Sequence, residues 1–306
     1  MRDGAKAVSR SNSSAGDQPT HTAAGSKPAP GLYLVATPIG NLDDITLRAL
    51  KILQGADVVA CEDTRVTGKL LSLLGISAQL TPYHEHNAER ARPALMARIR
   101  EGQVVALVSD AGTPLVSDPG YRLVRACIED GLPVTSAPGA SAVLTALQLS
   151  GLPSDRFLFA GFLPTKQGAR RATLAELAKV PATLVFYESP RRLDDCLPDM
   201  AAVLGGGRDA AVGRELTKMF EEVRRGTLDE LAAHYSASEA PKGEAVIVVA
   251  PPGAEAATSE ADLDAQLLQA LTEHSLRDAA ALVCAATGLP KREVYARAVL
   301  LTKDQD

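Results

Sequence analysis

Short apolar runs alternate with amphipathic segments from residue 31 onward. The run at 104–108 is apolar throughout, which is typical of a strand buried on both faces. Repeated alternation of strand and helix predicts a mostly parallel sheet with helices on both faces. In the first half we predict strands at 32–36, 57–61, 104–108 and 132–136, and helices at 45–53, 66–74, 88–100, 121–129 and 140–149. Asp43 or Asp44 is the expected N-cap of the first helix, and Gly75 the stop of the second.

The second half continues the alternation with a larger share of strand. We predict strands at 157–161, 183–187, 210–214, 222–226 and 245–249, and helices at 170–179, 191–203 and 228–235. Turn-rich stretches at 150–155 and 251–259 are the expected linkers. The fold class is therefore α/β, with two α/β domains at 31–150 and 155–250 and a small helical C-terminal segment at 260–306.

The two ends differ from the body in composition. Residues 1–30 are rich in Arg, Ser, Gly, Ala and Pro and have no apolar centre, so we expect a disordered tail rather than a secretory signal. In the C-terminal segment we predict one helix at 275–286 capped by Ser275 and another starting at Pro290. A DNA-reading helix-turn-helix is one interpretation, and a pair packed on the body or on another subunit is the commoner one, which we favour.

Composition limits the class of protein. Hydrophobic residues make up 46% and charged residues 23%, as in ordinary globular proteins. The net charge of −5 does not indicate a nucleic-acid binder, but it leaves room for a local basic surface. The four cysteines at 61, 127, 196 and 284 form no closely spaced pair, so reduced thiols in a cytoplasmic protein are expected. No apolar stretch reaches about 18 residues, so we expect no membrane span.

The densest chemistry follows the predicted strand at 104–108. Residues 109–120 contain two Asp, two Gly, two Pro, two Ser and one Thr. Open α/β sheets bind ligands at the carboxyl ends of their strands, glycine lets backbone approach a ligand, and proline stiffens the loop. An ordinary strand-to-helix connection is the alternative, but such connections are usually short. We therefore predict that 109–120 is a ligand-binding loop.

Comparable loops occupy 37–42, 137–142, 186–192, 213–218 and 242–244. Loops from both halves predict a pocket at the domain interface. The first strand is not followed by Gly-x-Gly-x-x-Gly, and Gly-x-x-x-x-Gly-Lys-Ser/Thr is missing, which argues against dinucleotide and phosphate-loop proteins. His84 and His86 flank Glu85, but no third ligand is visible, so we expect no metal there.

Six motifs in one order make the chain recognisable. They lie at 34–44, 61–65, 109–120, 138–142, 187–192 and 214–218. With these motifs the chain resembles the class III, tetrapyrrole-methylase-like family of S-adenosylmethionine-dependent methyltransferases. It is most similar to the members that 2′-O-methylate a cytidine of 16S ribosomal RNA, and the helical pair at 275–302 also fits them. Each motif alone is modest, whereas six in order are highly specific.

The resemblance implies a homodimer that binds S-adenosylmethionine between its two domains. Carried over by position, the donor site of the first domain comprises Pro38, Asp110, Ala111, Gly112, Thr113, Pro114, Val116, Ser117, Ser141 and Ala142. The second domain would add Tyr187, Leu216, Gly243, Glu244 and Ala245. The implied partner is 16S ribosomal RNA or the small ribosomal subunit.

A ribose hydroxyl is a weak nucleophile, so a nearby base should help methyl transfer. Glu188 is the first candidate for this catalytic role and Lys218 the second, either as a base or as a cation that holds a phosphate. Alternatively, Glu188, Glu215, Lys218 and Arg191 only form ion pairs across the domain interface. RNA binding needs positive charge. The expected basic patch consists of Arg65, Arg191, Arg192, Arg214, Arg224 and Arg225.

The sequence thus predicts a methyltransferase acting on small-subunit ribosomal RNA. Methylation of a tetrapyrrole or another small molecule is the alternative within the family. A non-catalytic ribosome-binding module is the alternative outside it. The arginine-rich loops of the second half favour RNA, and the donor-loop residues argue against a module without activity.

Overall fold

A computed structural model describes residues 27–117, 120–239, 241–253, 260–287 and 289–303. Most of the tail predicted at 1–30 therefore lies outside the described residues, as do Asp118, Pro119 and Gly288. At the start of the described chain, Lys27 pairs with Asp57 at 2.6 Å.

The first sheet is parallel throughout, as the alternation predicted. Its strand order is β3-β2-β4-β1-β5. The strands are β1 (Gly31–Val35), β2 (Val58–Cys61), β3 (Leu80–Pro82), β4 (Val104–Val108) and β5 (Val134–Ala137). The helices are α1 (Leu47–Gly55), α2 (Thr64–Leu73), α3 (Ala88–Arg100), α4 (Tyr121–Glu129) and α5 (Ala142–Ser150). The short edge strand β3 was not predicted.

The first helix begins two residues later than predicted because Thr46 caps it. The Thr46 hydroxyl oxygen accepts a hydrogen bond from the backbone N–H of Ala49 at 3.1 Å. Asp43 and Asp44 instead lie in a 3₁₀ turn whose N-cap is Asn41. The prediction of an aspartate cap was therefore wrong.

The second sheet is mixed, with the order β6-β7-β10-β8-β9. Strand β6 pairs in parallel with β7, whereas the other pairings are antiparallel. The strands are β6 (Phe157–Phe162), β7 (Thr183–Glu188), β8 (Asp209–Arg214), β9 (Glu222–Thr227) and β10 (Ala245–Val249). The helices are α6 (Gln167–Leu177), α7 (Leu193–Leu204) and α8 (Leu228–Ser236), and a 3₁₀ turn at Pro190–Arg192 precedes α7. The predicted α/β class is confirmed.

Helix α5 joins the two halves through an apolar layer. Its Val143, Ala146 and Leu147 pack with Val185 of β7 and Val246 of β10. The other face of the second sheet packs against α7 and α8. Because side chains alternate along a strand, each strand of this sheet sends one set toward α5 and the other toward α7.

The described part of the C-terminal segment has three helices, whereas the sequence predicted two. They are α9 (Glu260–Leu271), α10 (Leu276–Thr287) and α11 (Lys291–Lys303). Ser275 caps α10 as predicted, since its hydroxyl oxygen accepts from the N–H of Asp278 at 3.3 Å. The three share a core of Leu263, Leu267, Ala280, Val283, Val294 and Ala298. Two short helices alone leave too little apolar surface to bury, and α9 completes that core.

Within the described part of the chain, no helix combines the length and apolar character needed to cross a bilayer.

Candidate active site

A cleft of about 400 Å³ opens where loops of the two sheets meet. Its walls combine apolar side chains with loop backbone, which is usual for small-molecule sites. Every predicted donor-site residue lines it except Pro38 and Pro114. The sequence reasoning missed Ile39, Phe162, Ser189, Gly213 and Val246, which also line it. Most of these are apolar or small, so only their position beside the recognised motifs could have indicated them.

The 109–117 loop is tied to both neighbouring loops of the first sheet. Thr37 and Gly112 exchange backbone hydrogen bonds of 2.9 and 3.1 Å. The Thr113 hydroxyl donates to the carbonyl of Ala140 at 3.0 Å. Leu115 and Ser117 have positive φ values of 74° and 65°, which non-glycine residues rarely adopt. These bonds hold a strained loop in one shape along the cleft.

The N-terminus of α5 faces the cleft through Ser141 and Ala142. The Ser141 hydroxyl oxygen caps the helix by accepting from the N–H of Leu144 at 3.4 Å. A helix N-terminus carries partial positive charge, so this end of the cleft suits a carboxylate.

On the opposite wall, Glu215 fixes the segment that precedes β10. Its Oε1 accepts from the N–H of Glu244 at 3.1 Å and from Lys218 Nζ at 2.8 Å. The neighbouring Gly243 has a φ of 101°, and a Cβ there would collide with the Glu215 carboxylate. The hydrogen bond from Lys218 lowers the pKa of Glu215, although burial opposes it.

Lys218 lies between two carboxylates, Glu215 and Glu244, each 2.8 Å from its Nζ. Burial alone would lower the pKa of its ammonium group, but the hydrogen bonds to both carboxylates outweigh burial and raise it. In this structure two carboxylates therefore hold Lys218 as a cation. The ion-pair alternative describes Glu215 and Lys218 in this structure.

Glu188 borders the cleft, but its carboxylate is buried on the other side of the sheet. The residue is 2% exposed. Its carboxylate accepts from the N–H of Ser189 at 2.7 Å and lies 3.3 Å from the guanidinium of Arg192. Burial, followed by the charge of Glu188, raises the pKa of Cys196 on α7 to about 12. Strand alternation sends Tyr187 toward the cleft and the Glu188 carboxylate toward α7, although Glu188 is among the residues that line the cleft.

The six predicted RNA-binding arginines do not form one free patch. Arg192 is turned inward, where its guanidinium donates to the carbonyls of Leu163 and Pro164 at 3.0 and 3.1 Å. Three others pair with acidic side chains: Arg214 and Arg224 with Glu222, and Arg65 with Asp63. Arg225 donates to the carbonyl of Leu149, whereas Arg191 is exposed.

The histidine pair also lacks the surroundings of a metal site. The rings of His84 and His86 are 6.1 Å apart between centroids. Among the residues that the structure covers, no group of three or more His, Cys, Asp or Glu is placed to hold a metal ion.

Two family models match different parts of the chain. Residues 31–232 match the family model of tetrapyrrole (corrin/porphyrin) methylases. Residues 257–302 match a model described as the RsmI C-terminal HTH domain. That match favours the helix-turn-helix interpretation of the C-terminal segment over the packed pair that the sequence led us to prefer.

The chain is similar to curated proteins over most of its length. The ribosomal RNA small subunit methyltransferase I of Mesorhizobium japonicum is 58% identical over 269 residues, covering 88% of this chain and 91% of that protein. The uroporphyrin-III C-methyltransferase structure from Thermus thermophilus is 25% identical, with a TM-score of 0.53, and covers 72% of this chain and 94% of that one. A complex of such an enzyme with S-adenosyl homocysteine is 24% identical, with a TM-score of 0.50 and coverage of 71% and 96%.

Proposed function

Because the chain belongs to the tetrapyrrole methylase family and, within it, to the ribosomal RNA small subunit methyltransferase I proteins, we propose that it transfers a methyl group from S-adenosylmethionine to small-subunit ribosomal RNA. The observation that carries the proposal is the cleft, which nearly all the donor-site residues expected from the family line together. The acceptor is the 2′-oxygen of a cytidine, cytidine 1402 in 16S numbering, as the resemblance implies.

The residues present fit the donor. The volume of about 400 Å³ lies in the range of small-molecule sites. Ile39, Val116 and Leu216 offer apolar surface, and the N-terminus of α5 suits the donor carboxylate. When bound, S-adenosylmethionine supplies a methyl group made electrophilic by the sulfonium.

The contribution of this chain to catalysis is positioning. Transfer is an in-line displacement: a bond forms between the ribose oxygen and the methyl carbon while the bond from that carbon to sulfur breaks. S-adenosylhomocysteine is the leaving group, and the ribose oxygen loses its proton to water. Holding the oxygen close to the methyl carbon supplies much of the rate enhancement. The 109–117 loop is held in place from two sides, and Glu215 and Lys218 fix the other wall. In this geometry Glu188 and Lys218 act as supports of the walls rather than as proton acceptors.

We propose that the protein is a homodimer and that it acts in the cytoplasm. The family resemblance supports the dimer, and the reduced cysteines support the compartment. Cys61, Cys127 and Cys196 are free thiols buried in the core. Sedimentation at micromolar concentration tests the assembly, and a monomer would contradict it.

Tetrapyrrole methylation is the alternative, because the first family model is named for it. The helix-turn-helix match at 257–302 favours a nucleic acid. The test is incubation with labelled donor and either small subunits from a strain lacking the enzyme or uroporphyrinogen III. We expect label in ribosomal RNA alone. Label on the tetrapyrrole alone would contradict the proposal, and donor binding without transfer to either would indicate a ribosome-binding module.

A further inference from the structure

Phe162 is an exposed aromatic residue on the wall of the cleft. It ends β6, the edge strand of the second sheet, and lines the cleft while 61% exposed. A ring left in water at the rim of a ligand site, rather than buried in its floor, is free to pack against an incoming apolar face. Because β6 is an edge strand, no neighbouring strand of the sheet flanks it on its outer side.

The backbone around Phe162 is fixed by specific bonds. The register of β6 against β7 shifts between Phe159 and Phe162, and Gly161 has a φ of 68°. Directly after the ring, Arg192 holds the carbonyls of Leu163 and Pro164. The buried Arg170 donates to the carbonyl of Thr165 at 3.0 Å. The ring is therefore presented from a preorganised segment, which lowers the entropy lost when a partner binds.

Phe162 extends a short row of aromatic rings. Its centroid lies 5.4 Å from that of Tyr187 with a tilt of 58°, and Tyr187 lies 4.8 Å from Phe159. Phe159 and Tyr187 are partly buried against the apolar layer of α5, whereas Phe162 projects from it. The row leads from that layer to the surface and leaves most of the outermost ring bare.

An exposed cation follows each of the strands β6 and β7 in sequence. Lys166 comes four residues after Phe162, and Arg191 comes three residues after the end of β7. Single-stranded nucleic acids are held by aromatic rings that stack on bases and by cations that contact phosphates. Both cations are close in sequence to residues that line the cleft, Lys166 to Phe162 and Arg191 to Ser189.

We propose that Phe162 is the stacking platform for the base of the acceptor nucleotide, so that it determines where the ribose sits relative to the methyl donor. This inference rests on the proposed ribosomal RNA substrate. The group that stacks on Phe162 is a nucleobase displaced from its own stack. Only such a base has a free face to place against a ring that is exposed to solvent.

The test compares Phe162→Ala with Phe162→Trp and with a matched control, Phe157→Ala. Phe157 begins the same strand, is 42% exposed, and lies about 16 Å from Phe162 by strand rise. Three quantities are measured: Kd for S-adenosylhomocysteine without RNA, KM for small subunits, and Kd for a short single-stranded RNA by fluorescence anisotropy at fixed salt.

For Phe162→Ala we expect KM and the RNA Kd to rise on the order of 10-fold to 100-fold, the usual effect of losing a base stack. Kd for S-adenosylhomocysteine should stay within about twofold, and Phe162→Trp should keep wild-type RNA binding. The control should match wild type in all three quantities.

Two results would overturn the proposal: unchanged RNA binding in Phe162→Ala, or an approximately tenfold loss of donor affinity in that variant, which would assign the ring to the donor pocket. If the wild-type protein methylates no ribosomal RNA, the proposed function fails, but the anisotropy measurement still decides whether Phe162 binds a base.

Discussion

Tyr187 and Glu188 are adjacent in sequence and face opposite sides of the second sheet. The motif that contains them could be recognised from sequence, and so could its place at a strand end. The direction of each side chain could not, because a shift of one residue in strand register exchanges the two faces. Tyr187 lines the cleft, whereas the Glu188 carboxylate lies near Arg192 and Cys196.

For the arginines too, the sequence does not give the direction of each side chain. Their positions predict positive charge near the cleft, but not which guanidiniums the fold uses internally. Arg192 holds two carbonyls and the buried Glu188, whereas Arg191 beside it is exposed. Neighbouring arginines therefore have separable roles.

Substitution of each arginine separately tests that distinction. Arg192→Ala should lower the free energy of unfolding by about 3 kcal/mol, because it leaves a buried carboxylate without its cation. Arg191→Ala should change stability by less than about 0.5 kcal/mol but reduce the salt slope of RNA binding by about one. Urea unfolding and binding titrations at several salt concentrations measure both effects. A stable Arg192→Ala protein with a reduced slope would return Arg192 to the RNA surface.

The pKa of Glu215 predicts a dependence of stability on acid. A carboxylate whose pKa is lowered on folding stabilises the protein above its unfolded pKa, and that contribution is lost as pH falls through the folded pKa. Glu215→Gln should therefore cost on the order of 1 kcal/mol at neutral pH, with the difference from wild type shrinking below about pH 4.5. Unfolding curves across this range check it, with the exposed Glu176→Gln on α6 as control. A difference that does not depend on pH would contradict the ion pair.

At the scale of elements, periodicity predicted strands and helices well where they are regular. Strands β4 and β10 and helices α3 and α4 have the predicted bounds. The three-residue β3 is too short to show a period, and α9 lies next to a predicted linker. The loops were recognised as chemical sites because Gly, Pro and Asp are dense in them, but their hydrogen bonds depend on partners distant in sequence.

Gly243 tests how strongly a loop conformation supports the cleft. In Gly243→Ala the new Cβ meets the Glu215 carboxylate at a positive φ, so the segment before β10 must shift. We expect a loss of about 1–3 kcal/mol in stability and at least about tenfold in donor affinity. Thermal unfolding and S-adenosylhomocysteine titration measure these effects. Gly168→Ala in α6, where a Cβ meets open space, should be neutral or slightly stabilising. Equal behaviour of the two variants would show that the conformation at Gly243 does not support the cleft.

At the scale of the molecule, the cleft and the C-terminal helices are formed by different parts of the chain. Among the residues that the structure describes, those that line the cleft run from Ile39 to Val246, and α9, α10 and α11 bury a core of their own. A chain ending at residue 253 should therefore bind S-adenosylhomocysteine within about twofold of the full chain, but should methylate ribosomal RNA much less. Calorimetry and labelled transfer separate the two effects. Full transfer by the shortened chain would show that the helices are dispensable for the substrate.

The overall plan of the molecule was largely predictable, because alternating elements and ordered motifs constrain a fold strongly. The sequence could not predict which groups meet at the acceptor. That depends on the register of β7 and on the row of rings that ends at Phe162. A net charge of −5 also gave no indication of the substrate, because the relevant charges are local.

Methyl transfer to a ribose oxygen of small-subunit ribosomal RNA leaves a product that can be identified chemically. The most direct test is incubation of the protein with labelled S-adenosylmethionine and small subunits from a strain lacking the enzyme, followed by alkaline hydrolysis and mass spectrometry of the labelled fragment. A 2′-O-methyl group blocks alkaline cleavage of the adjacent phosphodiester, so we expect label in an alkali-resistant dinucleotide that begins with cytidine. Label in an ordinary mononucleotide, which places the methyl group on a base, would contradict it.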